Sequence, residues 1–253
     1  MNNVERHTYI LNQLDKNGKV LVLDLCEELG VSSVTIRKDL RFLEEENLLF
    51  RTHGGATKQN PYTTDKSVYE KAKINVEEKS RIGKLAASLI EENDSIIIAS
   101  GTTLLAMAKE IKPKGELTVV TSSLQVATQM GAFHNAEIIQ LGGTVRKTSF
   151  SVAGMFSELI LDNFYCSKLF LGVDGLDMDF GITTTNAQEA QLNRKMIDSA
   201  HKVIVLADSS KFDKKSFGKI TELDKIDIVI TDEISETHKE ALEAQGVKVL
   251  IAN

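Results

Sequence analysis

This chain of 253 residues has no excess of cations, no closely spaced cysteine pair, no long apolar run and only two prolines. Each shortage removes a class of protein. The formal charge is −6, which excludes a chain that coats nucleic acid through bulk positive charge. Cys26 and Cys166 stand too far apart for a zinc or dithiol motif and read as small core residues of a reducing compartment. No apolar run approaches the roughly 18 residues that suggest a membrane span. The opening Met-Asn-Asn-Val-Glu-Arg lacks the apolar centre of a secretory signal. A cytoplasmic protein without a membrane partner is therefore expected. Internal repeats and low-complexity tracts are missing as well. What is present is 42% hydrophobic and 26% charged residues, an ordinary globular composition. The length suits one large or two modest domains, each able to bury a core.

Residues 31–43 read as an amphipathic helix. Ile36, Leu40 and Leu43 fall at i, i+4 and i+7 on one face, while Arg37, Lys38 and Arg41 lie away from it. Ser32 or Ser33 caps its start. A shorter helix over 22–29 runs into it through a turn at Gly30. A DNA-reading helix needs small hydroxyl residues at its N-terminus to meet base edges and cations to hold phosphates. Ser32, Ser33, Thr35, Arg37, Lys38 and Arg41 supply both. Phe50-Arg51-Thr52 and Ala56-Thr57-Lys58 around His53-Gly54-Gly55 then form a short hairpin, or wing. Its Arg51, His53, Gly54 and Lys58 join the candidate interface.

A plainer reading stands beside this one, since helix pairs with an apolar face are common packing and three outer cations are usually only solvated. Residues 1–58 hold eight Lys and Arg against nine Asp and Glu, a net of −1 that leaves −5 elsewhere. Support for DNA binding therefore comes from local clustering of cations, with Glu44-Glu45-Glu46 pointing away from the duplex. The wing favours a winged helix-turn-helix domain over 1–58. A polar linker containing Pro61 follows over 59–66, and a second domain occupies 67–253.

The second domain opens with a helical stretch over 67–90, with Ile82, Leu85, Ala86 and Leu89 on one stripe. Short β-branched runs follow at 95–99, 118–121, 137–141, 168–173, 202–207, 227–231 and 248–251, with helices over 104–111, 124–131, 187–200 and 236–245. This alternation predicts an α/β domain with a mostly parallel sheet.

In such sheets ligands sit at the carboxyl ends of the strands. Ser100-Gly101-Thr102-Thr103 follows the first strand and opens into a helix, where free N–H groups suit a phosphate. Thr102 or Thr103 acting only as a helix cap is an equally good reading of that loop alone. Similar loops recur at Thr121-Ser122-Ser123, at Gly142-Gly143 with Arg146 nearby, and at Asp208-Ser209-Ser210-Lys211. Their convergence on one sheet edge is what points to a ligand. Asp174, at a predicted strand end, adds a carboxylate for sugar hydroxyls, whereas Asp177 and Asp179 also read as an acidic turn.

Thr-Ile-Arg-Lys-Asp-Leu from Thr35, followed by Arg-Thr-His-Gly-Gly-Ala from Arg51, resembles the DeoR family of bacterial transcriptional regulators. Lys38 stands where that family usually has Arg, and Asn47 where it has Gly. The resemblance continues through Gly-Gly-Thr-Val-Arg from Gly142, Asp174-Gly-Leu, Gly181-Ile-Thr, Asn186, Glu189-Ala, and Ala-Asp-Ser-Ser-Lys-Phe from Ala207. Ser122 stands where Asn is frequent. It implies a sensor domain similar to ribose-5-phosphate isomerase, a phosphorylated sugar effector, and dimers or tetramers on operator DNA. It also implies Ser100, Gly101, Thr102 and Thr103 for the phosphate, with Asp174, Asp208 and Lys211 near the sugar or phosphate. No cofactor, metal or catalytic residue is expected.

Two alternatives remain open here. The second domain retains isomerase chemistry, which needs a carboxylate base and a cation for the enediolate, or its pocket is vestigial and serves assembly. Against the first, residues 180–185 read Phe-Gly-Ile-Thr-Thr-Thr, without the isomerases' lysine and glycine run. Glu189 is the one substitute base to suggest, and on a helix it can equally cap or pair.

Overall fold

A computed structural model describes residues 2–52, 54–58 and 66–253. The chain forms two compact units, Met1–Thr64 and Asp65–Asn253.

The N-terminal unit contains α1 (Asn3–Asn17), β1 (Lys19–Leu21), α2 (Val22–Leu29), α3 (Ser33–Glu45), β2 (Phe50–Thr52) and β3 (Gly55–Thr57). The helix expected over 22–29 is α2. Gly30 ends it at φ 63, a left-handed conformation that glycine adopts without a Cβ penalty, and its N–H donates to the Cys26 carbonyl at 2.9 Å. Ser32, not Ser33, caps α3, its hydroxyl accepting the Thr35 N–H at 3.2 Å. Beyond α3 the chain turns at Asn47, φ 58. In the wing, Thr52 lies opposite Gly55, and Gly54 takes φ 92. His53 lies outside the described residues.

The sequence pattern gave no assignment to residues 1–21, and the structure places α1 and β1 there. β1 completes a three-stranded sheet in the order β1-β3-β2. α1 starts in a capping box between Asn2 and Glu5 and buries Ile10 and Leu14 against Leu25, Ile36, Leu40 and Leu43. It also carries Arg6, whose guanidinium grips Asp39 of α3 in a forked contact, Nη2 to Oδ1 at 2.9 Å. Both side chains are only 7% exposed. His7 Nε2 lies 3.0 Å from the same carboxylate. α3 is thus fixed by an apolar stripe and by one buried ion pair.

The C-terminal unit is built on a parallel sheet of seven strands. α4 (Val68–Lys71) and α5 (Val76–Ala87) lead into β4 (Ser95–Ile98), α6 (Thr102–Glu110), β5 (Leu117–Thr121), α7 (Leu124–Met130) and β6 (Ala136–Gln140). A hairpin of β7 (Thr144–Arg146) and β8 (Ser151–Ala153), then α8 (Met155–Leu161), return the chain to β9 (Cys166–Gly172). After β10 (Gly175–Asp177), β11 (Gly181–Thr184) and α9 (Ala187–Asp198) come β12 (Ala200–Leu206) and β13 (Gly218–Thr221). β14 (Ile228–Thr231), α10 (Glu236–Ala244) and β15 (Lys248–Ile251) end it. The large sheet runs β15-β14-β12-β9-β4-β5-β6, and every pairing in it is parallel. All seven β-branched runs of the sequence are its strands. β10, β11 and β13 form a small antiparallel sheet of their own, too short to register as periodicity.

Strands covered on both faces must be apolar throughout, and Ile96, Ile97 and Ile98 are all fully buried. Alternate side chains serve opposite cores. Ile97, Leu169, Leu171, Val203 and Val205 pack with Leu161, Met196 and Leu242 from α8, α9 and α10. Ile96, Ile98, Phe170, Ile204 and Leu206 pack with Ile82, Leu104, Met107 and Val126 from α5, α6 and α7.

One expectation is corrected. The helix read over 67–90 is two helices, broken where Asn75 takes φ 51. The apolar stripe of Ile82 and Ala86 belongs to α5 alone, and the four-residue α4 carries no such stripe.

Replacing Asp39 by Ala leaves Arg6 buried without its carboxylate. We expect a loss of about 3–5 kcal/mol from the N-terminal unit, read by urea unfolding. The double replacement Arg6→Met with Asp39→Leu should lose far less. A loss under about 1 kcal/mol for Asp39→Ala would remove the pair from the account of what positions α3.

Candidate functional site

Two surfaces collect the candidate residues, one in each unit. In the N-terminal unit Arg37, Lys38 and Arg41 are exposed on the side of α3 opposite Ile36, Leu40 and Leu43. Val34, 60% exposed, lies on the same outer face at i−3 from Arg37. Val34 is absent from the candidates above because an apolar side chain carries no sequence signal for an exposed interface. Ser32 is exposed and Ser33 and Thr35 half-buried at the helix start, and the first turn of α3 holds no acid, so its positive dipole end faces outward unscreened.

The wing residues are less free than the pattern implies. Glu44 accepts the Arg51 backbone N–H at 2.8 Å and lies 3.6 Å from its guanidinium. It therefore anchors the wing to α3, a structural duty the acidic triplet did not reveal. Lys58 pairs with Asp15 at 2.5 Å, both groups well exposed, and Gly54 is exposed with φ 92.

In the C-terminal unit the strand order reverses between β4 and β9. From β4 the chain proceeds outward through β5 and β6, then crosses back to β9 on the other side of β4. At such a reversal the loops beyond the carboxyl ends diverge and leave a crevice. The loop after β4 holds Ser100 and Gly101, and Gly101 is the N-cap of α6 at φ 140, with no side chain capping the helix. Thr102 and Thr103 are therefore the first helical residues, not caps. Among the described residues no acceptor meets the N–H groups of Thr102, Thr103 or Leu104, which leaves three amides for an anion.

The loops after β9 and β12 hold two carboxylates in a web of donors. Asp174 accepts from Lys71 Nζ at 2.8 Å, Thr184 Oγ1 at 3.2 Å and the Thr185 N–H at 3.3 Å. Asp208, 1% exposed, accepts from Asn75 Nδ2 at 2.9 Å and from the N–H and hydroxyl of Ser210. Lys79, 7% exposed, donates to the carbonyl of Lys71 at 2.7 Å and to that of Ile74. Burial pushes both carboxyls up. The charges of Lys71 and Lys211 and the bond from Lys71 outweigh it at Asp174, and the Ser210 bond, Lys211, Asn75 and Lys79 outweigh it at Asp208. Both end below the usual carboxylate range. Burial pushes the Lys79 ammonium down, against the pull of Asp208.

The structure thus brings Asp174, Asp208 and Lys211 together and adds Lys71, Asn75 and Lys79, which sequence reading had folded into one long helix. The lysines between residues 66 and 79, on a stretch without an apolar stripe, were the available signal.

Other candidates fall elsewhere. The Thr121 hydroxyl donates to the Ile98 carbonyl at 2.6 Å and Ser123 caps α7, while Ser122 is 2% exposed beside them. Gly142 offers its carbonyl to Ser157, and Gly143 takes φ 138 at the start of the β7–β8 hairpin. Arg146 pairs with Glu189, both largely buried, and Ser151 donates to Glu189 at 3.1 Å. Glu189 is therefore held as an ion-pair partner, with Asn186 as the cap of α9. Among the described residues no cluster suits a metal ion, and no helix is long and apolar enough to cross a membrane.

Sequence comparison gives the same division. Residues 6–61 match the DeoR-like helix-turn-helix domain, and residues 74–233 match the DeoR C terminal sensor domain. The chain is 37% identical over 250 residues to the protein assigned as the aga operon transcriptional repressor of Escherichia coli O157:H7, covering 98% of this chain and 93% of that one. It is 34% identical over 246 residues to the lactose phosphotransferase system repressor of Lactococcus lactis subsp. lactis, covering 95% of each. Among solved structures, ribose 5-phosphate isomerase A from Methanocaldococcus jannaschii aligns over 55% of each chain at 14% identity, with a TM-score of 0.40.

The two carboxylates give the C-terminal unit an acid limit. Each folded value lies below the unfolded one, near 3.9. The stability each contributes is complete above that unfolded value and is lost as pH falls through the folded value. Urea unfolding between pH 5 and 3 should show a steep fall for the native chain and a shallower one for Asp208→Asn. Equal slopes would mean that Asp208 is not held low.

Proposed function

The chain belongs to the DeoR family of transcriptional regulators, and from that premise we propose that it represses a carbohydrate-catabolism operon under control of a phosphorylated sugar. The observation that carries the reading is the meeting of Asp174, Asp208, Lys71, Lys79 and Lys211 at the strand-order reversal, beside the unfilled amides of α6. A sugar phosphate matches this set by chemistry. The phosphate takes the amides of Thr102, Thr103 and Leu104 together with a lysine charge, and the sugar hydroxyls donate to the carboxylates. Similarity to a lactose phosphotransferase system repressor agrees with a carbohydrate signal. Isomerase chemistry has no comparable support, since Glu189 is committed to Arg146 and Ser151.

On DNA, Val34, Arg37, Lys38 and Arg41 form the reading face of α3, with Ser32, Ser33 and Thr35 at its leading end. Val34 suits a thymine methyl group, and Arg37 and Arg41 suit guanine edges or phosphates. Arg51, His53, Gly54 and Lys58 of the wing lie along the backbone. One such helix reads a short site, so two half-sites bound by a symmetric homodimer, or by a tetramer built from dimers, complete the reading. The protein then works in the cytoplasm, with operator DNA and the sugar phosphate as its partners.

Two measurements test this. Arg37→Ala and Arg41→Ala should each weaken binding to operator DNA, selected from a random pool by the native protein, by about 1–3 kcal/mol for a base contact. Undiminished binding by both would take α3 off the DNA. A thermal-shift panel of pentose and hexose phosphates should contain compounds that raise Tm for the native protein and not for Lys211→Ala, since a ligand specific to the folded state raises apparent stability. A panel without effect, or an unchanged response in Lys211→Ala, would contradict the assigned site.

A further inference from the structure

The carboxylates assigned to the sugar are already occupied by the protein itself. Lys71 and Asn75 come from the segment 67–75, the first stretch of the C-terminal unit after the linker. Lys71 places its ammonium 2.8 Å from Asp174 Oδ1, and Asn75 places its amide 2.9 Å from Asp208 Oδ1. A carboxylate has about four acceptor sites, and Asp174 also receives Thr184 and Thr185. With the Thr185 hydroxyl as a fourth donor at 3.3 Å, a sugar hydroxyl that approaches Asp174 competes with donors already there.

The way this segment is held suits displacement. α4 is four residues long, and of its side chains only Val68 is buried. Tyr69 is 58% exposed, and beyond the helix Ile74 is 43% and Val76 57% exposed. Apart from Val68 and an edge contact of Tyr69 on Phe150, ring centres 5.4 Å apart, what holds the segment is polar. The Val68 N–H donates to the Thr148 carbonyl at 2.6 Å, Lys71 and Asn75 hold the two carboxylates, and the buried Lys79 ammonium binds the Lys71 and Ile74 carbonyls. Asn75 spends its conformation in the left-handed region, at φ 51, to make its contact. Beneath the segment the packing is open. A cavity of about 230 Å³ lies between Val68, Ala72 and Val76 on one side and Thr102, Leu105 and Ala106 of α6 on the other, with Lys79 in its wall. Thr102 is the first residue of the helix whose amides stand unfilled.

We propose that residues 67–75 form a displaceable strap, in which Lys71 and Asn75 act as built-in competitors for Asp174 and Asp208, so that ligand entry releases the segment that joins the linker to the C-terminal unit. This rests on the sugar-phosphate reading of the same site and adds how the site is regulated. Ligand hydroxyls replace the strap's donors on the carboxylates, and the phosphate draws Lys79 from the strap's carbonyls. Both exchanges remove polar contacts that hold α4, and little apolar burial remains to keep it in place.

The test is hydrogen exchange on the full chain, reading the amides of residues 68–75. Asn75→Gly keeps the left-handed conformation, which glycine favours, and deletes the side-chain contact to Asp208 together with a longer one, 3.4 Å, to Ser210 of the same loop. Without any ligand, this variant should exchange in the strap about tenfold faster or more, since a bond to a charged group is lost. The exchange of β4 and β9 should stay unchanged. Unaltered strap exchange would overturn the proposal. In the second arm, ribose 5-phosphate and glucose 6-phosphate serve as probes with the native chain. A probe that raises Tm and speeds strap exchange supports the proposal. A probe that raises Tm and slows strap exchange overturns it and leaves the sugar-phosphate reading standing. If neither probe nor any other sugar phosphate raises Tm, the functional reading fails, and Asn75→Gly alone decides whether the strap is held as described.

Discussion

Two carboxylates stand at the carboxyl edge of a parallel sheet, Asp208 buried and Asp174 largely so, and a charge held away from water must be paired or it drives the structure apart. The chain meets this constraint with donors from outside the sheet. Lys71 and Asn75 arrive from the segment that precedes it, Ser210 and Lys211 from the loop after β12, and Thr184 and Thr185 from the end of β11. Much of the C-terminal unit's irregular structure exists to deliver those groups. The break at Asn75, the short α4 and the turn at Ser209–Lys211 make little sense as packing, but each places a donor on a carboxylate. An apolar pair would satisfy the fold at lower cost, which makes the retained polarity an argument for a ligand.

The N-terminal unit repeats the theme once. Asp39 faces away from the exposed cations of α3 and is held by Arg6 of α1. The motif running from Thr35 to Leu40 therefore combines two duties on one helix. Arg37 and Lys38 point to solvent, whereas Ile36, Asp39 and Leu40 point to the core. Glu44 extends the arrangement by tying the wing to the same helix. The exposed cationic face of α3 is thus fixed from behind.

How much of this was legible in the sequence depended on whether the governing interaction is periodic. The seven strands of the large sheet were readable because burial on both faces demands continuous β-branched runs, as at Ile96, Ile97 and Ile98. α2 and the Gly30 turn were readable because an apolar face and a glycine stop are local signals. α1 carries a local signal too, in the Asn2–Glu5 box and in Ile10 and Leu14 one turn apart, but two apolar positions make a narrow stripe that the sequence pattern did not assign. The break at Asn75 was missed for a deeper reason: its cause is a carboxylate 133 residues away in the chain, and no local window contains it. The same limit applies to Glu44, whose partner is the backbone of Arg51. Loops were readable as candidates but not sortable. Thr121 and Ser123 satisfy neighbouring backbone, while Ser100 and Gly101 leave amides unfilled, and that difference is a matter of geometry.

The central claim is that one polypeptide couples a ligand at the Asp174 and Asp208 edge to operator binding by α3. Linkage tests it directly. Operator affinity is measured with and without a saturating sugar phosphate, and sugar-phosphate affinity with and without saturating operator, at one salt concentration because DNA affinity depends steeply on salt. The account predicts two equal ratios, corresponding to a coupling of about 1–3 kcal/mol. Ratios of one in both directions, with both ligands demonstrably bound, would contradict it.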